Sequence, residues 1–436
     1  MTKGSSSASD RLLASLVWCW IVVLLSIVVS SYFAKHFTDA ISFRIDDGWC
    51  PPEKVALGLH CFGDFGHPYL RGGYPVVYSE GNSVILNSPF VLAVFEILNL
   101  LPYELALWIF LAFASFAMAL PILWAVWNER GDRRALAVFV CGVGTLGFIA
   151  TIDRANPVAF IPLIALGSVV MIDQEKWFRA AIIVAVGSAI KFWFPMMLIP
   201  FIVRRKYKEL FLSVSLIGIF HLLPLLAFPG NYLTNLRLSL KAVFSSDLHN
   251  GFQPYAISVV SLIRRIACAW RDGGTCFTTS TNWGFEASPI FGACIALALI
   301  AWAAICFHRY PPKTVMRYAP LLSLGVLALP TAQTYNSVLF ISVTALIFKW
   351  ERIDGSESKL WSLSLVLCSA LPPYALFYVG DSVFSSTNSS YPGPMFRLHY
   401  FLIPVASAVW ILHTTITTRN RKARITAESE FGSSRV

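Results

Sequence analysis

Between residues 12 and 415 the chain is a succession of apolar runs, and about a dozen of them approach the ~20 residues needed to cross a bilayer. Few folds remain open to such a chain. Each backbone amide in hydrocarbon must be satisfied within the protein, so runs of this length are expected as helices. With 56% of residues hydrophobic and 13% charged, soluble globular classes are excluded. A net charge of +10 would suit a nucleic-acid partner. The basic residues, however, sit in short loops between the runs and in the C-terminal tail, which is the positive-inside pattern of a polytopic membrane protein. Run 12–33 lacks a small-residue cleavage site and is too long for a signal-peptide core, so it reads as a retained first span.

The fold expected is therefore an all-α polytopic membrane protein, a bundle of about twelve transmembrane helices with a large extracytoplasmic first loop and interfacial helices. Residues 1–416 read as one transmembrane domain with outer loops at about 35–83, 229–287 and 380–399, and 417–436 as a basic, disordered cytoplasmic tail. Topology turns on 83–101, an apolar stretch broken by Asn87, Pro89, Glu96 and Asn99. If it crosses, the basic loop NERGDRR at 128–134 falls outside, against the charge rule. If it lies in the interface, every charged loop is satisfied and both termini are cytoplasmic, in the plasma membrane. That choice makes 176–205 two short spans turning near Lys191–Pro195, where Pro195 disfavours the α region for Phe194.

Nine cysteines in a chain of 436 residues do not make a disulfide scaffold. Cys19, Cys141, Cys294, Cys306 and Cys368 lie in apolar runs and read as packing residues. Cys50 and Cys61 share the first outer loop, an oxidising side where a disulfide and two free thiols are both open.

The stretch that points to chemistry runs from Asp153 to Lys206. It opens with Asp153, Arg154, Asn156 and Pro157 and later strands Lys191 in an apolar run. A cation in hydrocarbon costs roughly 2.5–3.5 kcal/mol on insertion scales, so Lys191 needs a compensating partner or water. Two consecutive spans return it to the side of Asp153 and Arg154, and that charge set suits an anionic lipid head group. Asn156 as N-cap with Pro157 at the first helical position is a helix start, and capping does not exclude substrate contact. In the first outer loop Asp46, Asp47 and Asp64 are the carboxylates from which a general base could come. Asp46 and Asp47 read as turn residues, whereas Asp64 stands between Gly63 and Gly66 and ahead of Pro68 and Tyr69. Arg264 and Arg265 lie on an amphipathic piece, 257–270, and are open to lipid phosphate or substrate. Gln333, Tyr335 and Asn336 form a polar tip, and Arg397 and His399 precede the last run. Eight scattered histidines give no metal-ligand motif, and neither a phosphate-binding glycine loop nor a nucleophile elbow occurs.

In pattern, most of the chain resembles the GT-C superfamily of membrane glycosyltransferases, and more narrowly glycosyltransferase family 87, the polyprenyl-phosphate-mannose-dependent mannosyltransferases. GDFGHPY and NSPFVLAVFEILNLLP are similar to the family's Asp–Tyr segment and Pro-containing helix, which singles out Asp64 and Tyr69. DRANPVAF resembles its charged-plus-Asn helix start. AIKFWFPMMLIPFIVRRKYKEL resembles its Lys-x-x-Pro run, with Lys191 and Pro195 here four apart. NGFQPYAISVVSLIRR partly matches its Asn-Gln-Ser stretch and basic piece, marking Gln253 and Arg264. ALPTAQTYN is loosely similar to a His-containing stretch, without the His, and marks Tyr335 and Asn336. The resemblance implies a GT-C-like bundle and inverting transfer of a sugar, mannose by family, from a polyprenyl-phosphate donor to a lipid-linked or cell-envelope glycan acceptor on the outer face. It implies Asp64 as base, substrate contacts at Asp153, Arg154, Asn156 and Lys191, and neither nucleotide nor metal cofactor. The rival readings are a flippase or transporter of lipid-linked sugars, with charge spread along several helices, and a purely structural membrane subunit.

Overall fold

The computed structural model describes residues 65–66, 88–127, 148, 151–152, 154–228, 230–249, 288–327 and 334–350. These are helical, with no strand among them. Helix α1 is Pro89–Leu98 and α2 Tyr103–Val126. A 3-10 turn at Pro157–Phe160 leads into α3, Ile161–Asp173, which is followed by α4, Trp177–Ile190. A second 3-10 turn, Phe194–Leu198, runs into the short α5, Ile199–Val203, and then α6, Tyr207–Leu222. The remainder are α7, Tyr232–His249, α8, Ser288–Arg309, α9, Val315–Leu327, a 3-10 turn at Thr334–Leu339, and α10, Phe340–Trp350.

Tyr103–Ala125 and Tyr207–Leu226 are long and apolar enough to cross a membrane. Around them the exterior is apolar: α2 exposes Trp108, Phe113 and Phe116, and α6 exposes Phe211, Val214 and Ile219. Helix α7 buries Asn235 and Ser239 while exposing Leu233 and Leu240. Buried hydroxyls of Ser188, Ser323 and Thr344 donate back to carbonyls four residues earlier in their own helices. That habit satisfies polar groups where no water is at hand. Together these features point to a membrane protein. A bundle of about twelve spans was expected; among the described residues these two helices have spanning length and hydropathy, further apolar ones being shorter, and the runs 12–33, 360–379 and 400–415 fall outside the described residues. Helix α1 has 10 residues, about 15 Å of rise, and is too short to cross a hydrocarbon core of about 30 Å.

At the centre lies α4, packed between α3 and α6. Its buried face is Ala180, Ala181, Val184, Ala185, Gly187, Ser188 and Ala189, small side chains that let neighbouring backbones approach closely. Cys306 is buried as expected for a packing residue, whereas Cys294 is exposed on α8. The reason is local: Leu297 and Ile305 of the same helix are exposed too, so apolar character there marks an outer face as well as a packed one.

The helices give the assembly two chemically distinct ends. At one, the Asp173 carboxylate accepts from the Lys313 amide at 2.8 Å and the Tyr318 hydroxyl at 3.1 Å, tying α3 to α9. There the Phe307 ring lies under the guanidinium of Arg317 at 4.4 Å and near that of Arg204 at 5.8 Å. Lys206 sits over Trp177, and Lys349 over Trp124. Because α3 and α4 are antiparallel neighbours joined at this basic end, Asn156 and Lys191 both belong to the other.

Candidate functional site

Lys191 ends α4. Its amide closes the last helical bond, to Gly187 at 2.9 Å, and then its own backbone turns extended, φ −135° and ψ 121°. The side chain is 7% exposed, at the end of a helix whose leftover carbonyls favour a cation. The chain turns back here, since Phe201 on α5 stacks edge-on against Trp177 at the start of α4. The break falls at Lys191, inside the Lys191–Pro195 stretch expected to turn. Phe194 lies inside the 3-10 turn, where Pro195 is an early residue and is accommodated.

Two glycines hold that turn. A Cβ on Gly187 would come within 2.4 Å of the Phe194 ring, and one on Gly325 within 2.5 Å of the Trp193 ring. Both rings are buried in notches that only a missing side chain leaves open. Gly325→Ala is therefore expected to lower the unfolding temperature of the purified protein, by an overpacking cost of about 1–3 kcal/mol. Gly218 on α6 meets nothing within 4 Å of an added Cβ. Gly218→Ala should instead be neutral or raise the unfolding temperature, a helical glycine costing roughly 0.5–1 kcal/mol relative to alanine. Trp193, Phe194, Met197, Leu322 and Leu339 wall a narrow apolar cleft directly after Lys191.

Asn156 is the expected N-cap: its side-chain oxygen accepts from the Val158 amide at 2.9 Å, with Pro157 in the first helical turn. It is 4% exposed. The turn before it reverses at Ala155 with φ 49°. The Ala155 amide donates to Ile152 and the Asn156 amide to Thr151, the paired bonds of a helix C-terminus that normally recruits glycine. A non-glycine residue in that conformation costs roughly 1–2 kcal/mol, and here it lies between two candidate site residues. Arg154 is partly buried.

The 3-10 turn at Thr334–Leu339 packs against the one at Pro157–Phe160 and also against α9. Asn336 thus joins the Asn156 end of the molecule. It is not an exposed polar tip: it is 5% exposed, and its Oδ1 is buried without a hydrogen-bond partner. Leu339, from the same turn, lines the cleft beside Trp193. The backbone of Tyr335 lies in this turn too. Asp64, Tyr69, Asp153, Gln253 and Arg264 lie outside the described residues, as do Cys50 and Cys61. Phe65, next in sequence to Asp64, is fully buried against Phe95 of α1 at 5.3 Å and Phe110 of α2 at 5.2 Å. Among the described residues no three His, Cys, Asp or Glu side chains gather as a metal site.

Ser88 was not singled out from the sequence. It caps α1, accepting from the Val91 amide at 3.3 Å, and its hydroxyl donates to the Ala189 carbonyl at the end of α4. Ser-Pro ahead of an apolar run announces the cap. Nothing local announces the second bond.

No curated protein and no solved structure matches the chain. The family model for glycosyltransferase family 87 matches residues 86–330, which is more than half of it. That segment includes Arg154, Asn156, Lys191, Gln253 and Arg264, begins after Asp64 and Tyr69, and ends before Tyr335 and Asn336. A helical chain with an apolar exterior, a buried cation at the end away from its basic loops, and that match over its centre belongs to glycosyltransferase family 87 and is a glycosyltransferase.

Proposed function

We propose that the chain transfers a sugar, mannose by family, from a polyprenyl-phosphate donor to a lipid-linked or envelope glycan acceptor on the extracytoplasmic face. The observation that carries this reading is Lys191. It is buried at the end opposite the basic loops, and the residues that follow it wall an apolar cleft. Helix α4 has 14 residues, so it rises about 21 Å from the basic end and leaves Lys191 short of the far side of a core of about 30 Å. A cation at that depth suits the phosphate of a lipid whose isoprenoid chain stays in hydrocarbon.

In this reading the acceptor hydroxyl attacks the anomeric carbon as the bond from that carbon to the phosphate oxygen breaks, and the configuration inverts. The acceptor's proton passes to the Asp64 carboxylate. The electron pair of the broken bond leaves with polyprenyl phosphate, whose growing charge Arg154 and Lys191 stabilise. Asn156 and Asn336 line the same end and hydrogen-bond the sugar or phosphate, with Asp153, Tyr69, Gln253, Arg264 and Tyr335 completing the contacts. The chemistry so written draws on neither nucleotide nor metal. Residues 1–416 form one multi-pass domain of the plasma membrane, and both termini are cytoplasmic.

The test is transfer by purified protein in nanodiscs, supplied with a polyprenyl-phosphate sugar of defined head group and a panel of glycan acceptors. Product formation with release of polyprenyl phosphate supports the reading. Passage of the donor across liposomes without transfer would support the flippase, and transfer only from nucleotide sugars would overturn the donor assignment.

A further inference from the structure

We infer that Ser88 is a positioning residue for the transfer reaction, holding Lys191 in register with the segment that carries Asp64. The inference rests on the role given to Lys191 above. A serine hydroxyl has one proton to donate and lone pairs to accept with, and here both capacities are used on helix ends. The lone pair takes the Val91 amide, one of the donors that the start of α1 leaves over. The proton goes to Ala189, one of the last carbonyls of α4, two residues before Lys191. One atom thus fastens the positive end of α1 to the negative end of α4.

Helix α1 is held at two further places. Seven residues on from Ser88, about 10 Å along the helix, Phe95 packs edge-on against Phe65, the residue following Asp64. Elsewhere along it Leu92 packs with Leu225 and Phe228, and Phe90 meets Phe220 at 5.3 Å. The helix is therefore a strut from the Asp64 segment to the tip of α4, and its joint to that tip includes a single hydroxyl. Reacting groups displaced by about 1 Å can lose about a hundredfold in rate, so this joint bears on catalysis without touching substrate.

Capping and clipping separate by chemistry. Asp at position 88 is as good an N-cap as serine, but its ionised carboxylate has no proton for the Ala189 carbonyl. Thr retains both functions. We expect Ser88→Asp to stay folded, unfolding somewhat below the wild-type temperature because the Ala189 carbonyl loses its donor, and to lose about tenfold or more in kcat, with KM within a few fold. Ser88→Thr should recover most of the rate. The loss should nearly vanish in the Lys191→Met background, because a residue that acts through Lys191 has nothing left to position there. Full kcat in Ser88→Asp with Lys191→Met strongly impaired would overturn this proposal alone. An undiminished loss in the Lys191→Met background would also overturn it. Wild-type rates in Lys191→Met would remove the reading on which it rests.

Discussion

Replacing Asp64 by asparagine should lower kcat for sugar transfer by about 10²–10⁴-fold, the range that a positioned general base contributes. The amide has the shape of the carboxylate and cannot take the acceptor's proton, so binding of donor and acceptor should survive. KM should stay within a few fold, and single-turnover measurements should put the loss in the chemical step. Thermal unfolding should be unchanged, because the neighbouring packing is made by Phe65, which is enclosed by Phe95 and Phe110 and is untouched by the substitution. Asp64→Glu should retain part of the activity if the longer side chain still reaches the hydroxyl. Full activity in Asp64→Asn would move the base to another carboxylate, with Asp46 and Asp47 of the same loop the next to substitute.

Lys191→Met should cost about 10²–10³-fold in kcat, the loss typical when one group stabilising transition-state charge is removed. Methionine keeps the length and apolar stem of lysine and discards only the charge. The turn it belongs to should persist, because Trp193 and Phe194 remain locked in the notches at Gly325 and Gly187. The expected signature is thus lost turnover in a protein with wild-type helical content by circular dichroism. The effect should also depend on the leaving group. A donor with a better leaving group than polyprenyl phosphate should be less impaired, since it develops less charge that needs stabilising. Lys191→Arg should recover only part of the rate, because a planar fork does not reproduce a compact ammonium in a buried site. An unimpaired Lys191→Met enzyme would remove the principal support for an anionic donor at this end of the molecule.

The two substitutions bear on different parts of the proposal. Asp64 precedes the segment matched by the family, and Lys191 lies within it. Loss of activity in Lys191→Met alone would keep the phosphate site and reopen the question of the base. Loss in Asp64→Asn alone would keep the base and send the phosphate to other cations, Arg154 first.

Much of the architecture is legible in the amino-acid order because it is decided by local chemistry. Asn156–Pro157 announces a helix start, and the start is there, since an N-cap bond spans two residues. Helix α2, Tyr103–Val126, is one continuous apolar run opened by Pro102. The brevity of α1 follows from the polar residues and prolines around it. The grouping of Lys206, Arg204, Lys313 and Arg317 at one end follows from loop charge, and with it the side to which Lys191 belongs. Loop charge was enough to expect a turn near Lys191–Pro195, although proline does not set where that turn falls.

What the order of residues could not decide is how those pieces meet. Ser88 reaches Ala189 across 101 residues of chain, and no periodicity encodes a bond between two helix ends so far apart. The notch at Gly325 is defined by a tryptophan arriving from another segment, so glycine and ring acquire meaning only as a pair. Ala155 takes a backbone conformation that its side chain disfavours because the Thr151 and Ile152 carbonyls require it. Asn336, polar and next to a proline-ended run, read as a surface tip until packing against the Pro157 turn enclosed it. Hydropathy, caps and charge act over a few residues and fix each helix and the end of the molecule it faces. Burial, notches and shared hydroxyls are properties of surfaces in contact, and only the assembled bundle brings those surfaces together.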